Sequence, residues 1–165
     1  MKNPKYIIKG NQLHIAYNFN KNLNSLCKAL RGIDTIIFNE KYDDDKFSQF
    51  NQSIVLLRDI KVLKMGFYYN KLIVLSRGTT VLTVGYYFNQ PIVLSRGIKI
   101  LIFGECFNQP IVLTKNITCL TFGPDFNRRI SLTQHIVELT FCYYFNKPIE
   151  LPPKIMVLTF GKSFN

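Results

Sequence analysis

Apolar residues return to the same places every 19 residues from Phe50 to Asn165. Counted from the aromatic residue that opens each unit, Ile recurs at position 5, Leu at positions 7 and 14, and mostly Phe at position 16. A Leu and a Phe two residues apart point to one face of an extended chain, because strand side chains alternate with a period of two. The pattern therefore predicts short β-strands, each turning one face towards a core.

Every unit opens with an aromatic residue followed by Asn. The pair stands at Phe50-Asn51 and at six later places, and the heptapeptide FNQPIVL occurs verbatim from Phe88 and again from Phe107. A unit of 19 residues is too short to fold alone, but it can bury its apolar face against neighbouring units. We therefore expect a β-rich solenoid with one parallel sheet, in which an Asn column bonds to backbone groups and a Phe column fills the interior. The recurring residues are assigned to the fold, and function is expected at the positions that vary.

The period continues weakly into the first 49 residues, with two insertions. Residues 13–20 and 32–39 match the strand pattern of the later units. Residues 1–165 are thus predicted to form a single repeat domain of about eight units, with divergent coils over 1–49 and regular ones over 50–165. A Gly stands at position 17 of almost every unit, where it is expected to supply a positive φ as the chain bends after the strand.

The segments FNQPI, LTFGPDFN and LTFCYYFNKPIELP resemble the FNIP repeat, a relative of the leucine-rich repeat known from slime moulds and giant DNA viruses. The likeness is strong over residues 50–165 and weak over residues 13–47. It implies a leucine-rich-repeat-like, right-handed coil, although the family's unit is usually a few residues longer. Many members carry an F-box before the repeats. Only twelve residues precede the first strand-like segment here, so we expect a repeat array without an F-box.

The chain offers little that could carry catalysis. Its two histidines, His14 and His135, fall in different units, and no phosphate-binding or nucleophile motif occurs. The four cysteines show no CxxC or metal-ligand spacing, so we expect neither a zinc site nor a disulfide. Glu40 and the aspartate run at residues 43–45 could bind a cation, but they lack calcium-loop spacing and fit a solvated loop better. We predict a protein that is not an enzyme and that has no cofactor or metal.

Charge and targeting signals indicate the expected cellular location and the kinds of surface that the protein would attract. No apolar run approaches the ~18 residues of a membrane span, and residues 1–20 lack the apolar segment of a signal peptide. Together with unpaired cysteines, this favours a cytoplasmic protein, in the host cytoplasm if the chain is viral. The net charge of +11 would attract nucleic acid and acidic surfaces without specificity.

The variable positions supply a first hypothesis for function, a protein-binding scaffold whose partner the sequence does not name. Positions 13 and 15 face away from the core, and positions 18 and 19 are rich in Tyr. Tyr is favoured at interfaces, and an apolar stripe on an open sheet suits a partner. β-branched residues on that face also suit a strand without any partner. The predicted binding residues are Ile100 and Ile102 on the sheet, with Tyr68, Tyr86, Tyr87, Tyr143 and Tyr144 on the rim.

The alternative hypothesis rests on a basic column at position 9. Arg58, Arg77, Arg96 and Lys115 follow one edge in successive units and could bind a polyanion or nucleic acid. The column is interrupted in the later units, no RNA-binding motif accompanies it, and a solvated edge that discourages aggregation also accounts for it. The third alternative is a repeat protein that has no dedicated partner surface. Separately, the strand near Leu158 could pair with a second copy, so an edge-mediated homodimer is a further hypothesis.

Overall fold

The computed structural model describes residues 5–26, 30–38, 48–56 and 59–165. Within them the chain forms short β-strands and one turn of 3-10 helix, Leu23–Leu26. The strands are β1 (Tyr6–Lys9), β2 (Gln12–Ile15), β3 (Thr35–Phe38), β4 (Ile54–Val55), β5 (Val62–Lys64), β6 (Ile73–Val74), β7 (Val81–Thr83), β8 (Ile100–Ile102), β9 (Cys119–Thr121), β10 (Glu138–Thr140) and β11 (Val157–Thr159). From β5 onwards the strands of the main sheet begin 19 residues apart, as the periodicity predicts.

Nine of the strands form one sheet, in the order β1-β2-β3-β5-β7-β8-β9-β10-β11. β1 and β2 pair antiparallel, and the eight strands from β2 onwards pair in parallel. Equivalent residues such as Leu82, Leu101 and Leu120 stand side by side, so each coil contributes one strand and satisfies the backbone groups of its neighbours. The predicted solenoid is confirmed.

The core consists of columns that run along the solenoid, one for each inward position of the repeat. Leu at position 14 is fully buried from Leu63 to Leu139, and so are the opening aromatic rings from Phe50 to Phe145. Successive rings of this aromatic column stack nearly parallel, with centroids 6.0–6.2 Å apart from Tyr69 to Phe164. Burying one such ring is worth about 1.5–3 kcal/mol. The column therefore supplies a large part of the attraction between coils.

The coils are closest at the main sheet and spread apart away from it. Hydrogen-bonded strands lie about 4.8 Å apart. The position 16 rings next to the sheet, from Phe103 to Phe160, are separated by 5.2–5.7 Å, and the aromatic column beyond them by about 6.1 Å. From this widening we infer that the coils from Phe88 onwards curve, with the main sheet on the concave side. On the convex side, the strand pairing of the described residues is limited to β4 and β6.

The predicted Asn column is present as a ladder of hydrogen bonds. The backbone N–H of each column Asn donates to the side-chain Oδ1 of the Asn one coil earlier, as from Asn108 to Asn89 at 3.0 Å. The same bond joins the coils from Asn20 to Asn165 at 3.0–3.3 Å. Most of these side chains are half-buried at the turn, where they satisfy backbone donors that the sheet does not reach.

The glycine column at position 17 has a different cause from the expected one. In the described residues a positive φ occurs at Gly10 and Gly32, and not at position 17. A Cβ added to Gly104 would collide with the carbonyl oxygen of Gly85, and one added to Gly123 would collide with that of Gly104. Glycine is needed there because neighbouring coils approach too closely for a side chain. The expectation of a positive φ at this position is wrong.

The first edge of the sheet carries an element that the periodicity does not reveal. β1 and β2 form a hairpin through Gly10 and Asn11, and Gly10 has a φ of 59°. A Gly-Asn pair between two short apolar segments is a hairpin signal, because the tight turn requires positive φ. β1 covers the outer edge of β2, which would otherwise present unpaired backbone groups.

Candidate functional site

Four aromatic rings form a cluster directly after the glycine column, at positions 18 and 19 of two neighbouring coils. This aromatic cluster consists of Phe67, Tyr68, Tyr86 and Tyr87. Phe67 stacks on Tyr86 with ring centroids 4.7 Å apart, and Tyr68 stacks on Tyr87 at 5.5 Å. An edge contact of 5.0 Å between Phe67 and Tyr68 joins the two pairs. The stacking follows from the repeat, because the parallel pairing of β5 and β7 holds equivalent positions in register.

The aromatic cluster is accessible from solvent. Tyr68 and Tyr87 are 46% and 44% exposed, while Phe67 and Tyr86 are half-buried beneath them. Mutual stacking already restricts the rings, so a partner that covers them loses little further side-chain entropy. Rigid aromatic groups with a polar hydroxyl are typical anchors of protein interfaces.

The other two predicted tyrosines lie apart from the cluster. Tyr143 and Tyr144 are exposed and contact each other edge to face, with centroids 4.8 Å apart. They lie three coils beyond the last tyrosines of the cluster, and the coils between carry Glu105 and Pro124 at position 18. The structure thus divides the predicted Tyr rim into a cluster and a separate pair.

A groove of about 410 Å³ borders the aromatic cluster. Tyr86, Ile102 and Glu105 are among its lining residues, so two of the predicted binding residues meet here from neighbouring coils. Ile100 lies two residues earlier on β8, half-buried and outside the lining. The neighbouring Glu105 carboxylate raises the pKa of the Tyr86 hydroxyl. The groove thus combines aromatic surface with a carboxylate acceptor.

The predicted basic column is exposed to solvent as far as the structure describes it. Arg77, Arg96 and Lys115 lie on three consecutive coils, and Arg58 lies outside the described residues. A hollow of about 400 Å³ is lined by Arg96, Thr114 and Lys115. Within the described ranges, no carboxylate forms an ion pair with any of the three cations. Their charged groups face solvent, and the Asp59 carboxylate lies against Gly78, the residue after Arg77.

Among the residues that the structure describes, groups suited to catalysis are not brought together. His14 is half-buried with its Nε2 3.2 Å from the Gln12 Oε1, and His135 is exposed on a distant coil. In the described part of the chain, no three His, Cys, Asp or Glu side chains come together as a metal site would require. Glu40, the aspartate run at residues 43–45 and Cys27 lie outside that part. No helix among the described residues is long and apolar enough to cross a bilayer.

The described cysteines, Cys106, Cys119 and Cys142, are free thiols. Burial raises the pKa of each thiol, and nearby carboxylates raise it further. The nucleophile in cysteine chemistry is the thiolate, and a raised pKa keeps these groups protonated at neutral pH. None of the three has the environment of a catalytic cysteine.

Comparison with known proteins agrees with this architecture. No family model matches the chain, and no curated protein matches it. Among solved structures the chain is similar to CroV588 from a giant virus, described as a novel circular LRR protein, with 29% sequence identity and a TM-score of 0.55. The fold is leucine-rich-repeat-like. The match covers 98% of this chain and 35% of CroV588, so the chain spans about a third of that protein's length.

Proposed function

We propose that this protein is a non-enzymatic scaffold that binds a protein partner through the aromatic cluster and the groove beside it. The observation that supports the proposal is the exposed stack of Tyr68 on Tyr87, held in place by Phe67 and Tyr86 beneath. Solenoids present extended surfaces along their repeats and commonly use them for binding. Tyr is also enriched among the residues that contribute most to binding energy at interfaces.

The groove indicates what the partner should present. Aromatic faces attract apolar side chains and the guanidinium of Arg. Glu105 lines the groove and offers carboxylate oxygens close to Tyr86. An Arg that stacks on the rings and donates to Glu105 would use both features at once. We therefore propose a partner segment that combines an apolar residue with an Arg or Lys.

The proposal is tested by affinity capture from the source organism, followed by affinity measurement with the partner identified. The double variant Tyr68→Ala/Tyr87→Ala removes two exposed rings without opening the core, and is expected to weaken binding by about 2 kcal/mol or more. Tyr144→Ala is the matched control, because Tyr144 is similarly exposed but lies outside the cluster. Equal affinity of the double variant and the wild-type protein would refute the assignment.

A polyanion-binding or nucleic-acid-binding function is the second candidate. It is supported by the exposure of Arg77, Arg96 and Lys115 on consecutive coils without ion-pair partners in the described residues. If it is correct, affinity for single-stranded RNA falls steeply as salt is raised, and Arg77→Glu/Arg96→Glu abolishes it. The aromatic double variant should bind the RNA as well as wild type. Salt-independent binding would contradict this function.

We also propose a family relationship and a cellular setting. The recurring Phe-Asn pair followed by Ile supports kinship with the FNIP repeats of slime moulds and giant DNA viruses. Free thiols at Cys106, Cys119 and Cys142 suit a reducing compartment, in keeping with a cytoplasmic protein. A homodimer through the exposed edge strand β11 stays a prediction, which light scattering of the purified chain would test.

A further inference from the structure

A second surface lies on the convex side of the solenoid, in the middle of the recurring heptapeptide. Position 6 is Val in four consecutive coils, and its exposed fraction is 47% at Val55, 53% at Val74 and 86% at both Val93 and Val112. In β4 and β6 the preceding Ile is buried, so strand alternation turns the Val outwards. We call these four residues the valine stripe.

Stacking of the coils does not require Val at this position. The next two coils carry Ser131 and Glu150 there, and their Asn ladder is unchanged, with Asn127 and Asn146 bonded at 3.1 Å. Single exposed apolar residues are ordinary on protein surfaces. Four of them aligned on adjacent coils, widened by the exposed position 4 residues Leu72, Pro91 and Pro110, make one continuous apolar patch.

Positive charge predominates around the valine stripe. Segments 50–60, 69–79, 88–98 and 107–117 contain the four stripe residues and hold five cations and one acidic residue, Asp59. Arg77, Arg96 and Lys115 follow the stripe by three residues in successive coils, and Lys71 precedes it. The hollow of about 400 Å³ lined by Arg96 and Lys115 is large enough to receive a carboxylate side chain. An apolar band bordered by positive charge favours an occupant that is both apolar and acidic.

The spacing of the coils matches an α-helix laid along the solenoid axis. Val55 and Val74 are partners across β4 and β6, at the ~4.8 Å spacing of paired strands. In the later coils the buried ring centroids are 6.2 Å apart from Tyr69 to Phe88 and 6.1 Å apart from Phe88 to Phe107. A helix advances 5.4 Å per turn, which lies between these spacings, so it would present about one side chain to each coil. Over three coil steps the mismatch stays within about 2 Å, which side chains can absorb.

We propose that the valine stripe is the docking site for an acidic amphipathic helix of a partner protein. Apolar residues at i, i+4, i+7 and i+11 would pack on the stripe, and Asp or Glu beside that seam would face Arg77, Arg96 and Lys115. An anionic membrane would meet the same charges, but the stripe lacks the Trp, Tyr or Phe that anchor proteins at a bilayer interface. This surface lies away from the aromatic cluster and goes beyond the function proposed there.

The test uses fluorescence anisotropy with a labelled synthetic helix of about 18 residues. The peptide carries a Leu seam at the stated spacing, Glu along one flank, and Ala elsewhere to favour the helix. A second peptide of the same composition is scrambled so that no seam forms, and a third has Lys in place of Glu. Saturable binding of the first peptide alone, weakened as salt is raised, is the expected result. Equal binding of the scrambled peptide would overturn the proposal.

Variants of the protein locate the bound peptide. Val93→Asp/Val112→Asp is expected to lower the affinity for the peptide at least tenfold. The milder Val93→Thr/Val112→Thr should also lower it, and this variant serves as the test if the Asp variant folds poorly. Met156→Asp is the matched control, because Met156 is 83% exposed but lies off the stripe. Tyr68→Ala/Tyr87→Ala should bind the peptide like wild type, which separates this surface from the aromatic cluster.

Two further outcomes would overturn the helix proposal. Wild-type affinity of both the Asp and the Thr double variants would show that the peptide binds elsewhere on the protein. Tighter binding of anionic phospholipid vesicles or single-stranded RNA than of the acidic peptide, lost in Val93→Asp/Val112→Asp, would assign the stripe to that other ligand.

Discussion

Asn108 shows how one residue joins three coils, through its backbone N–H on one side and its side-chain oxygen on the other. Its backbone N–H donates to the Oδ1 of Asn89 at 3.0 Å, and its own Oδ1 accepts the N–H of Asn127 at 3.1 Å. Gln109, the next residue, also donates to Asn89. Each column Asn therefore supplies the acceptor that the following coil needs, at a half-buried turn where an unpaired donor is costly.

Removing that acceptor should destabilise the protein. We expect Asn108→Ala to lower the free energy of unfolding by about 1–3 kcal/mol, because the Asn127 N–H loses its partner. Asn108→Asp keeps an oxygen at the same place and should lose less. Urea denaturation followed by circular dichroism measures both. An alanine variant as stable as wild type would remove the energetic basis of the ladder.

A second single-residue prediction concerns buried hydroxyl groups. The Ser76 and Thr79 hydroxyls bond to each other at 3.0 Å. In the next three coils position 11 is Ile instead, and the hydroxyls of Ser95, Thr114 and Thr133 are buried without a partner among the described residues. Thr114→Val should therefore raise stability by about 1 kcal/mol, because it removes a buried unsatisfied group.

Thermal unfolding of matched variants tests this idea. Ser76→Ala is the comparison, since it breaks a formed hydrogen bond and should lower stability where Thr114→Val raises it. A loss of stability in Thr114→Val would show that its hydroxyl is hydrogen-bonded to a buried water.

The repeat alone does not reveal which residues of the recurring heptapeptide are exposed. Periodicity assigns the whole heptapeptide FNQPIVL to the fold, and Phe88 and Phe107 are indeed fully buried. Val93 and Val112 in the same heptapeptide are 86% exposed. The run Ile-Val-Leu does not by itself show which of the three side chains faces solvent. In an extended chain the side chains alternate, so an inward-facing Ile and Leu two residues apart leave the Val between them facing outwards.

Among the strands, Asp34 joins three neighbours just before β3 begins. The Thr35 hydroxyl and the Asn11 amide donate to its Oδ1 at 2.9 and 2.7 Å, and the Lys61 ammonium donates to its Oδ2 at 3.2 Å. The hydrogen bonds from Thr35 and then Lys61 hold the pKa of Asp34 below its ordinary value of 3.8. The carboxylate thus ties the segments before β2 and β5 to β3.

This network predicts a pH dependence with a definite sign. Because the pKa of Asp34 is lower in the folded state, the network stabilises the fold above the unfolded-state pKa, and this stabilisation is lost as pH falls through the folded pKa. NMR titration should place the Asp34 midpoint below 3.8. Thr35→Val and Lys61→Met should each raise it, whereas an unchanged midpoint in both variants would contradict the assigned cause.

The strands differ in how far the sequence predicts them. β5 and β7 to β11 are predictable because the same Leu and Phe return every 19 residues and must stack in register. β1 is outside the repeat, and its signal is the local Gly10-Asn11 turn rather than any period. The glycine column is visible in the sequence, but its cause is contact between coils, which no single unit contains. For the same reason the aromatic cluster emerges only when two units are stacked.

At the scale of the whole molecule, curvature gives the solenoid two different sides. Coils are drawn together at the concave sheet and spread apart at the aromatic column, where the rings stand about 6.1 Å apart. The aromatic cluster follows the strands of the sheet, and the valine stripe lies on the convex side. Two partners bound at these surfaces would not compete. Each surface is confined to the coils that carry its residues, two coils for the aromatic cluster and four for the valine stripe.

Coils that stack by the same columns should be interchangeable, and an internal deletion tests this directly. Because FNQPIVL begins at both Phe88 and Phe107, removing residues 88–106 joins Tyr87 to Phe107 and leaves every column continuous. We expect this variant to fold with lower stability and with a urea m-value smaller by about an eighth, since one coil less is exposed on unfolding. Removing residues 93–102 instead takes away β8 and half a coil, which leaves the remaining half with no strand to stack. That variant should lose cooperative unfolding, and equal behaviour of the two deletions would mean that the columns do not determine the fold.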